Sequence, residues 1–482
     1  MTKQRSFAFA LVAGLALVAP ARAHAQTESM IQMQNQIDQL TRKVEELEQA
    51  NQQVHGLDQR VQMIDRKMDL EQQNARAAQT RASRAPSVES SAKGFFVHSQ
   101  DESYSLRIGG WLQSDGRFYT TDTKPTGSEF LIRRLRPYLD GTVAKYYDFR
   151  FLLDFAQGTT TLQDAFTDLH YWPGLRLRAG KFKELVGLER IQDDRYVKFV
   201  ERALPSQLVP DRDIGFALHG VLLDQRMEYS VGLFNGTFDN TATVAADHND
   251  AKDIAGRVYF HPFAGSDPRY AAKLGLGLAA TYGDERGATL DTYRSAGQTV
   301  FFTYAKGVSA SGPRYRIAPQ FDYYRGPFGL LGEYVDNTQR MRLTGFTGTT
   351  RPRPYGNLPR KAVSDQAWQL TAAWLLTGED NSFDAIVPRR DFNPFGGGLG
   401  AWELVGRAGQ LLIDRSAFTN GFASSTTSTR EAIEWALGVN WYLNPNVKAQ
   451  LDYSRTAFTA GASDGHDLPN ESVILSEMQL QF

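Results

Sequence analysis

Pairs of arginine residues separated by one position are the side chains in this sequence best suited to bind a ligand. The pairs are Arg134 with Arg136, Arg176 with Arg178, and Arg314 with Arg316. Residues two apart in a β-strand face the same side about 7 Å apart, so each pair would place two guanidinium groups on one face. A guanidinium group donates two parallel hydrogen bonds to a phosphate or a carboxylate. The pairs therefore predict a surface that contacts small anions.

Three more cations complete the set of candidate anion-contacting residues: Lys181, Lys183 and Arg257. The polar faces of the strands carry twelve basic residues in all, and ten acidic residues share these faces: Asp115, Asp140, Asp148, Asp154, Asp164, Asp168, Glu228, Asp322, Glu403 and Asp452. Cross-strand ion pairs between the two sets would stiffen a sheet instead of binding a solute. The choice between an anion site and a network of ion pairs stays open at this point.

An alternation of apolar and polar residues positions these cations, and it continues from residue 103 to residue 482. In one stretch, for example, Tyr147, Phe149 and Phe151 alternate with Asp148 and Arg150. This period of two predicts strands with one apolar and one polar face. We predict sixteen strands, near residues 104–113, 134–143, 147–155, 162–172, 175–182, 214–222, 227–234, 254–261, 274–282, 314–325, 328–335, 368–376, 401–411, 434–443, 447–455 and 472–482.

The strand at residues 472–482 has no partner unless the chain circles back to the first strand. A closed barrel removes such a free edge, and an even number of strands is typical of bacterial membrane barrels. Because the number must be even, we assign residues 299–304 to a loop, although they could form a strand. Residues 377–400 are long for a turn and are left without an interpretation. A terminal aromatic residue such as Phe482 predicts recognition by the barrel assembly machinery.

The start of the chain and its composition favour an exported membrane protein. A positive start at Lys3 and Arg5, an apolar run over residues 7–19 and a small-residue cleavage site predict a signal peptide over residues 1–25. No later run has the roughly 20 consecutive apolar residues of a membrane helix, so a membrane-embedded chain would be a closed barrel. The net charge of −1 indicates no basic surface for nucleic acid, and the absence of cysteine excludes disulfides.

Residues 26–82 have the composition of a long helix, and we predict that they form a periplasmic coiled coil. Apolar residues step by four and three along this segment: Met33, Ile37, Leu40, Val44 and Leu47. Such a seam would hold copies of the chain together. A single amphipathic helix that lies on a surface is the alternative. Residues 83–102, which include Pro86 and several serines, are interpreted as a linker to the barrel at residues 103–482.

Several stretches of the predicted barrel, taken together, resemble the phosphate-selective porin O/P family: LRIGGWLQSDGRFY, LRAGKFKELVGLERI, ERALPSQLVPDRDIG, YSVGLFNGTFDN, PQFDYYRGPFGLLGEY, LTGED, GLGAWELVGRAG and GVNWYLNPNVKAQLDY. The resemblance implies a sixteen-stranded, trimeric channel for anions such as phosphate in the outer membrane of a Gram-negative bacterium. It also implies that the third external loop, residues 183–213, folds into the lumen and narrows it. Many relatives would carry a proline at residues 184–186, where this chain has none.

Enzymatic functions find little support in the sequence. None of the eight histidines stands with carboxylates at metal-ligand spacing, and His170 and His219 fall on inward faces of the strands. We therefore expect no catalytic activity, no metal and no cofactor. We predict a porin for passive diffusion of small anions, surrounded by outer-membrane lipid. The alternative is a structural barrel whose coiled coil tethers the outer membrane to the cell wall.

Overall fold

The computed structural model describes residues 23–82, 86–91, 94–121, 127–236, 250–264, 273–287, 290–343 and 360–482. The chain divides between residues 84 and 85 into two compact units. The predicted signal peptide lies outside the described residues except for its last three, with which the first helix begins.

The described residues of the first unit form a single long helix, α1 (Ala23–Ala82). A rise of about 1.5 Å per residue makes this helix roughly 90 Å long. The apolar residues of the predicted seam are all exposed along it: Met33, Ile37, Leu40, Val44 and Leu47. The helix is confirmed, whereas its association with other copies stays a prediction. No described helix is long and apolar enough to cross a membrane.

The described residues of the second unit contain twenty strands, of which sixteen form a closed antiparallel barrel. In chain order they are β1 (Ser87–Ser91), β2 (Gly94–His98), β3 (Ser105–Tyr119), β4 (Glu129–Val143), β5 (Tyr147–Asp154), β6 (Thr161–Trp172), β7 (Leu175–Lys183), β8 (Arg212–Leu222), β9 (Met227–Phe234), β10 (Asp253–Phe260), β11 (Leu274–Arg286), β12 (Thr292–Arg294), β13 (Val300–Thr303), β14 (Val308–Arg325), β15 (Phe328–Leu343), β16 (Lys361–Leu375), β17 (Ala401–Leu412), β18 (Glu431–Asn444), β19 (Val447–Thr459) and β20 (Glu471–Gln481). Two short helices, α2 (Leu188–Ile191) and α3 (Arg415–Thr419), lie in connections. Strands β3 to β11 and β14 to β20 form the barrel, so the predicted sixteen-stranded fold is confirmed.

Strand β20 pairs with β3 and closes the barrel. The pairing extends along β20 from Val473 to Gln481. Beyond it, Phe482 and Gly110 exchange two backbone hydrogen bonds of 3.0 Å. A Cβ atom on the neighbouring Gly109 would lie 2.6 Å from the carbonyl oxygen of Phe482, which is closer than real Cβ atoms come. The missing side chain of Gly109 therefore lets the end of the closing strand approach β3.

A hairpin of β1 and β2 continues the sheet next to this seam. Strand β2 pairs with β3 from Phe95, opposite Ile108, to His98, opposite Ser105. The ring centroid of Phe95 lies 6.3 Å from that of Phe482. The hairpin occupies part of residues 83–102, which were interpreted as a linker, and it was not predicted. Strand β1 has the sequence SVESS and is exposed throughout, so it lacks the alternation on which the prediction of strands depends.

The two faces of the barrel wall differ in polarity, as strand β18 illustrates. Ile433, Trp435 and Leu437 are exposed on the outer face, whereas Glu434 and Ala436 between them are buried. An apolar outer face and a polar inner face are the reverse of a soluble protein and are typical of a membrane barrel.

Short turns join the strands at one end of the barrel, called here the turn end, and longer connections join them at the loop end. The turns include residues 144–146, 173–174, 326–327 and 445–446. Residues 376–400, called here the β16–β17 segment, also connect strands at the turn end but are much longer. Residues 299–304 contain β13, which pairs with β12 and not with a barrel strand. They therefore lie in a connection between barrel strands, in agreement with their assignment to a loop.

Candidate functional site

Residues 184–211 connect β7 to β8, and most of their side chains are buried. We call them the β7–β8 loop. The backbone N–H of Val200 donates a hydrogen bond to Asp452 on β19 at 2.7 Å, and that of Leu188 donates to Glu333 on β15 at 2.6 Å. The loop therefore contacts the inner faces of strands that lie across the barrel from the two strands it connects.

Asp194 in the β7–β8 loop binds two of the predicted arginines. Its carboxylate forms ion pairs with Arg136 and with Arg202, and Arg134 lies 4.0 Å from it. Burial alone would raise the pKa of Asp194, but Arg202, Lys183 and other nearby cations lower this pKa well below its ordinary value. Arg134 and Arg136 thus attach the loop to β4.

The β16–β17 segment meets the β7–β8 loop from the turn end of the barrel. Lys198 of the loop donates to Asn381 of the segment at 3.0 Å and to Glu403 on β17 at 2.7 Å. Gln192 of the loop donates to the carbonyl oxygen of Phe383 at 2.6 Å. The unusual length of the segment, for which the sequence offers no interpretation, lets it reach these partners.

Residues 287–307, called here the β11–β14 loop, are attached to the wall by two carboxylates. The hydroxyl groups of Tyr293 and Tyr304 each donate to Asp365 on β16 at 3.0 Å. The hydroxyl group of Ser295 donates to Glu471 on β20 at 3.0 Å. The loop is therefore held on two sides at the loop end of the barrel.

Arg314 and Arg316 lie among these packed connections and not beside open space. Arg314 pairs with Asp253 at 3.0 Å and with Glu285 at 2.5 Å. Arg316, which is 1% exposed, donates to the carbonyl oxygen of Leu208 at 3.1 Å. In this predicted pair, Arg314 therefore forms ion pairs within the wall, and Arg316 binds the β7–β8 loop.

Two adjacent cavities lie along strands β3 to β8. The first, of about 360 Å³, is called the hairpin cavity because Phe96 and His98 of the β1–β2 hairpin line it. The second, of about 270 Å³, is called the loop cavity because Asp193 and Asp194 of the β7–β8 loop line it. Both are lined by Arg150, Phe166 and Arg178, so these residues stand where the two cavities meet.

Asp168 organises the cations of the hairpin cavity. Its carboxylate accepts hydrogen bonds from Arg176 at 3.0 Å, from Arg178 at 2.7 Å and from His219 at 2.9 Å. The side chain of Asp168 is 1% exposed, whereas those of Arg176 and Arg178 are 30% and 25% exposed. The carboxylate of Asp168 is therefore buried behind the guanidinium groups, and Arg176 also pairs at 2.9 Å with Asp148, which is 32% exposed and lines the cavity as well.

The remaining predicted cations are divided between the loop cavity and the wall. Lys183 lines the loop cavity and donates to the carbonyl oxygen of Gln192 at 2.8 Å. Arg257 and Lys181 are not among the residues that line the two cavities. The guanidinium carbon of Arg257 lies 4.3 Å from the ring centroid of Tyr259, and Lys181 is buried on β7. Among the described residues, no group of three or more His, Asp or Glu side chains is placed to hold a metal ion.

Arg150, which lines both cavities, is a residue that the candidate set lacked. Its guanidinium carbon lies 5.4 Å from the ring centroid of Tyr138, and its Nε atom lies 3.6 Å from Asp140 and from Asp164. Alternation in the sequence placed Arg150 on the inner face of β5 but could not distinguish it from the other inward arginines. That distinction depends on which inner surfaces the connections leave uncovered.

Comparisons with known proteins agree with this architecture. A family model described as phosphate-selective porin O and P matches residues 106–482. Porin O of Pseudomonas aeruginosa is 23% identical over 398 residues, which cover 75% of this chain and 84% of that protein. The crystal structure of the outer membrane channel DcaP of Acinetobacter baumannii superposes with a TM-score of 0.51 at 10% sequence identity. The match covers 81% of this chain and 100% of the DcaP chain. The structural likeness supports the barrel fold.

Proposed function

The chain belongs to the phosphate-selective porin O and P family, and from this premise we propose that it lets small anions, phosphate among them, diffuse passively across the outer membrane. The observation that carries the preference for anions is the lining of the hairpin cavity, which has four arginines (Arg107, Arg150, Arg176 and Arg178) and three carboxylates (Asp140, Asp148 and Asp168). Of the carboxylates, Asp168 is buried behind Arg176 and Arg178, and Asp148 pairs with Arg176 at 2.9 Å. A solute in the cavity would therefore meet more positive than negative charge.

The alternative of a neutral network of ion pairs applies to part of the wall. Arg136 pairs with Asp154 at 2.7 Å, and Arg407 pairs with Glu434 at 2.5 Å, both deep within the packed interior. These pairs stiffen the barrel and attach the β7–β8 loop. The cations that we assign to the solute are Arg176, Arg178 and Lys183, together with Arg150.

The β7–β8 loop is proposed to narrow the pore, in the way the resemblance implied for residues 183–213. Its contacts with β15 and β19 support this role, because they place its backbone against the far side of the wall. The solute would then pass on the side of β3 to β8, where the two cavities lie.

Three copies of the chain are proposed to assemble, with helix α1 as a coiled coil in the periplasm. The exposed apolar residues of its seam support association, since a lone helix would leave them in water. The exposed apolar outer face of the barrel is proposed to contact lipid. Phe482, which lies next to the closing seam, is proposed to be recognised by the barrel assembly machinery.

Reversal potentials test the proposed anion preference. Purified protein in planar bilayers with a KCl gradient should give a reversal potential of the sign set by chloride, and added phosphate should reduce the chloride current. The double variant Arg176→Gln with Arg178→Gln should lower the ratio of anion to cation permeability several-fold. Arg286→Gln is the matched control, because that side chain is 68% exposed and pairs with Asp284. A wild-type reversal potential set by potassium would contradict the proposal.

A further inference from the structure

The hairpin cavity contains apolar rings that a channel for inorganic ions does not need. Phe96 and His98 lie on the same side of β2 and line the cavity, and their rings stack at 5.9 Å between centroids. Phe95, on the opposite side of the strand, packs near Phe482. The inner wall of a membrane barrel is normally polar, because it faces water. Phe96 therefore presents an apolar surface where solvation alone would favour a polar one.

Phe166 on β6 adds a second ring, and it is paired with a cation. The guanidinium carbon of Arg178 lies 4.4 Å from the ring centroid of Phe166, and that of Arg107 lies 5.9 Å from that of Phe96. Guanidinium groups stack on aromatic faces through both their charge and their planar shape. The cavity thus combines flat apolar surfaces with flat cationic ones.

Arg150 supplies hydrogen-bond donors that the protein leaves unused. None of its N–H groups makes a hydrogen bond within the described part of the chain, although Asp140 and Asp164 lie 3.6 Å from its Nε atom. The side chain is 23% exposed and lies at the junction of the two cavities. An anionic group on a ligand could accept hydrogen bonds from Arg150 without displacing any that the protein makes.

The size of the hairpin cavity also favours an organic ligand. Its volume of about 360 Å³ falls within the range of roughly 300–1,000 Å³ that is usual for pockets that bind small organic molecules. A phosphate ion would fill only a small part of this space and would leave both phenyl rings in water.

We infer that the hairpin cavity is a binding site for organic anions with a planar apolar body, of which aromatic carboxylates are the simplest class. The carboxylate accepts hydrogen bonds from Arg150, and the ring packs on Phe96 and Phe166. This inference rests on the proposed function and names a second class of solute for the same pore.

Block of the chloride current by different anions tests this inference on the full-length protein in planar bilayers. Benzoate should block at a concentration at least fivefold lower than acetate, which has the same charge but no ring. The variants Phe96→Ala and Phe166→Ala, which lie on different elements, should each weaken block by benzoate about fivefold and change block by phosphate less than twofold. Arg150→Gln should weaken block by benzoate and block by phosphate.

Phe216→Ala is the matched control, because Phe216 is exposed on the outer face of β8, and it should leave benzoate block unchanged. Equal block by benzoate and acetate would overturn the inference, as would unchanged benzoate block in the two phenylalanine variants once a heat-shift gel shows that they are folded. Either result leaves the proposed function intact if the reversal potential is still set by chloride. A cation-selective wild-type pore would overturn both.

Discussion

The inward charges of this barrel serve two different purposes, and neighbouring residues illustrate the division. Arg134 and Arg136 on β4 attach the β7–β8 loop through Asp194, whereas Arg150 on the adjacent β5 faces open space. All three have the parity that places them inside the barrel. Parity, which the sequence contains, therefore predicts which side chains point inward. It cannot predict which of them the loops will cover, since that depends on contacts between distant parts of the chain.

The buried pair of Lys198 and Glu403 provides a test of how the β7–β8 loop is held. Lys198→Met leaves the Glu403 carboxylate, which is 0% exposed, without its cation. Removing one partner of a buried ion pair costs about 3–5 kcal/mol, so the free energy of unfolding in urea should fall by about 3 kcal/mol.

The double variant Lys198→Met with Glu403→Gln should recover much of this loss, because no unpaired charge then remains. Lys361→Met, at an exposed position at the start of β16, is the control and should change stability by less than about 0.5 kcal/mol. Equal stability of Lys198→Met and the wild type would show that the pair does not hold the loop.

Glu184, at the start of the β7–β8 loop, predicts a dependence of stability on pH. Neither of its carboxylate oxygens has a hydrogen-bond partner among the described residues. Burial, and then the carboxylates of Asp213 and Asp253, raise the pKa of Glu184 well above its ordinary value of 4.5. A carboxyl group with a raised pKa holds its proton more tightly in the folded state, so stability falls as the pH rises above 4.5.

Glu184→Gln removes this titration, and it should raise the urea midpoint relative to the wild type at pH 8 but not at pH 4. Glu102→Gln, at an exposed position in the turn before β3, should have the same effect at both pH values. If Glu184→Gln raised the urea midpoint equally at pH 4 and at pH 8, the pKa of Glu184 would be the same in the folded and unfolded states, and the prediction would be wrong.

At the scale of elements, alternation predicted all sixteen barrel strands but not their full length. Strand β15 was predicted over residues 328–335 and is observed as Phe328–Leu343, and β16 was predicted from residue 368 but begins at Lys361. Both extensions lie at the loop end. The β15 extension begins with five consecutive polar residues, DNTQR at 336–340, so its two faces do not alternate in polarity and the signal that identifies a strand is lost. The β1–β2 hairpin, which lies at the turn end beside the start of β3, was missed because β1 has no alternation of apolar and polar residues.

The β11–β14 loop gives a prediction at this scale. Asp365→Ala with Glu471→Ala removes the acceptors that hold the loop on β16 and β20. Each buried hydrogen bond contributes about 1 kcal/mol, so the loop should leave its site about tenfold more often or more. Single-channel recordings should show correspondingly more frequent transitions to a second conductance level. Asp464→Ala, at an exposed position between β19 and β20, is the control and should leave the recordings unchanged.

At the scale of the whole molecule, helix α1 is the part whose role is least determined by its own structure. Its seam was predicted from heptad spacing, but a seam predicts association and not the identity or number of partners. Leu40→Asp with Leu47→Asp places charges on the seam, so native mass spectrometry should show mostly single chains instead of trimers. Gln39→Asp with Arg42→Asp, away from the seam, is the control and should preserve the proposed trimer.

The current through each barrel should be the same in the seam variant as in the wild type, because the residues that line the two cavities all belong to the second unit. Trimers that persist in the seam variant, together with weakened cohesion of the cell envelope, would instead favour the tether that the sequence left as an alternative.

The pairing of β20 with β3 has a consequence for biosynthesis. A polypeptide that stops short of β20 would expose the free edges of β3 and β19, two long strands open to any other strand nearby. Truncated translation products should therefore aggregate or be degraded instead of remaining in the membrane as leaky half-cylinders. Closure of the barrel therefore distinguishes complete chains from truncated ones. Truncated chains would not form open pores in the membrane.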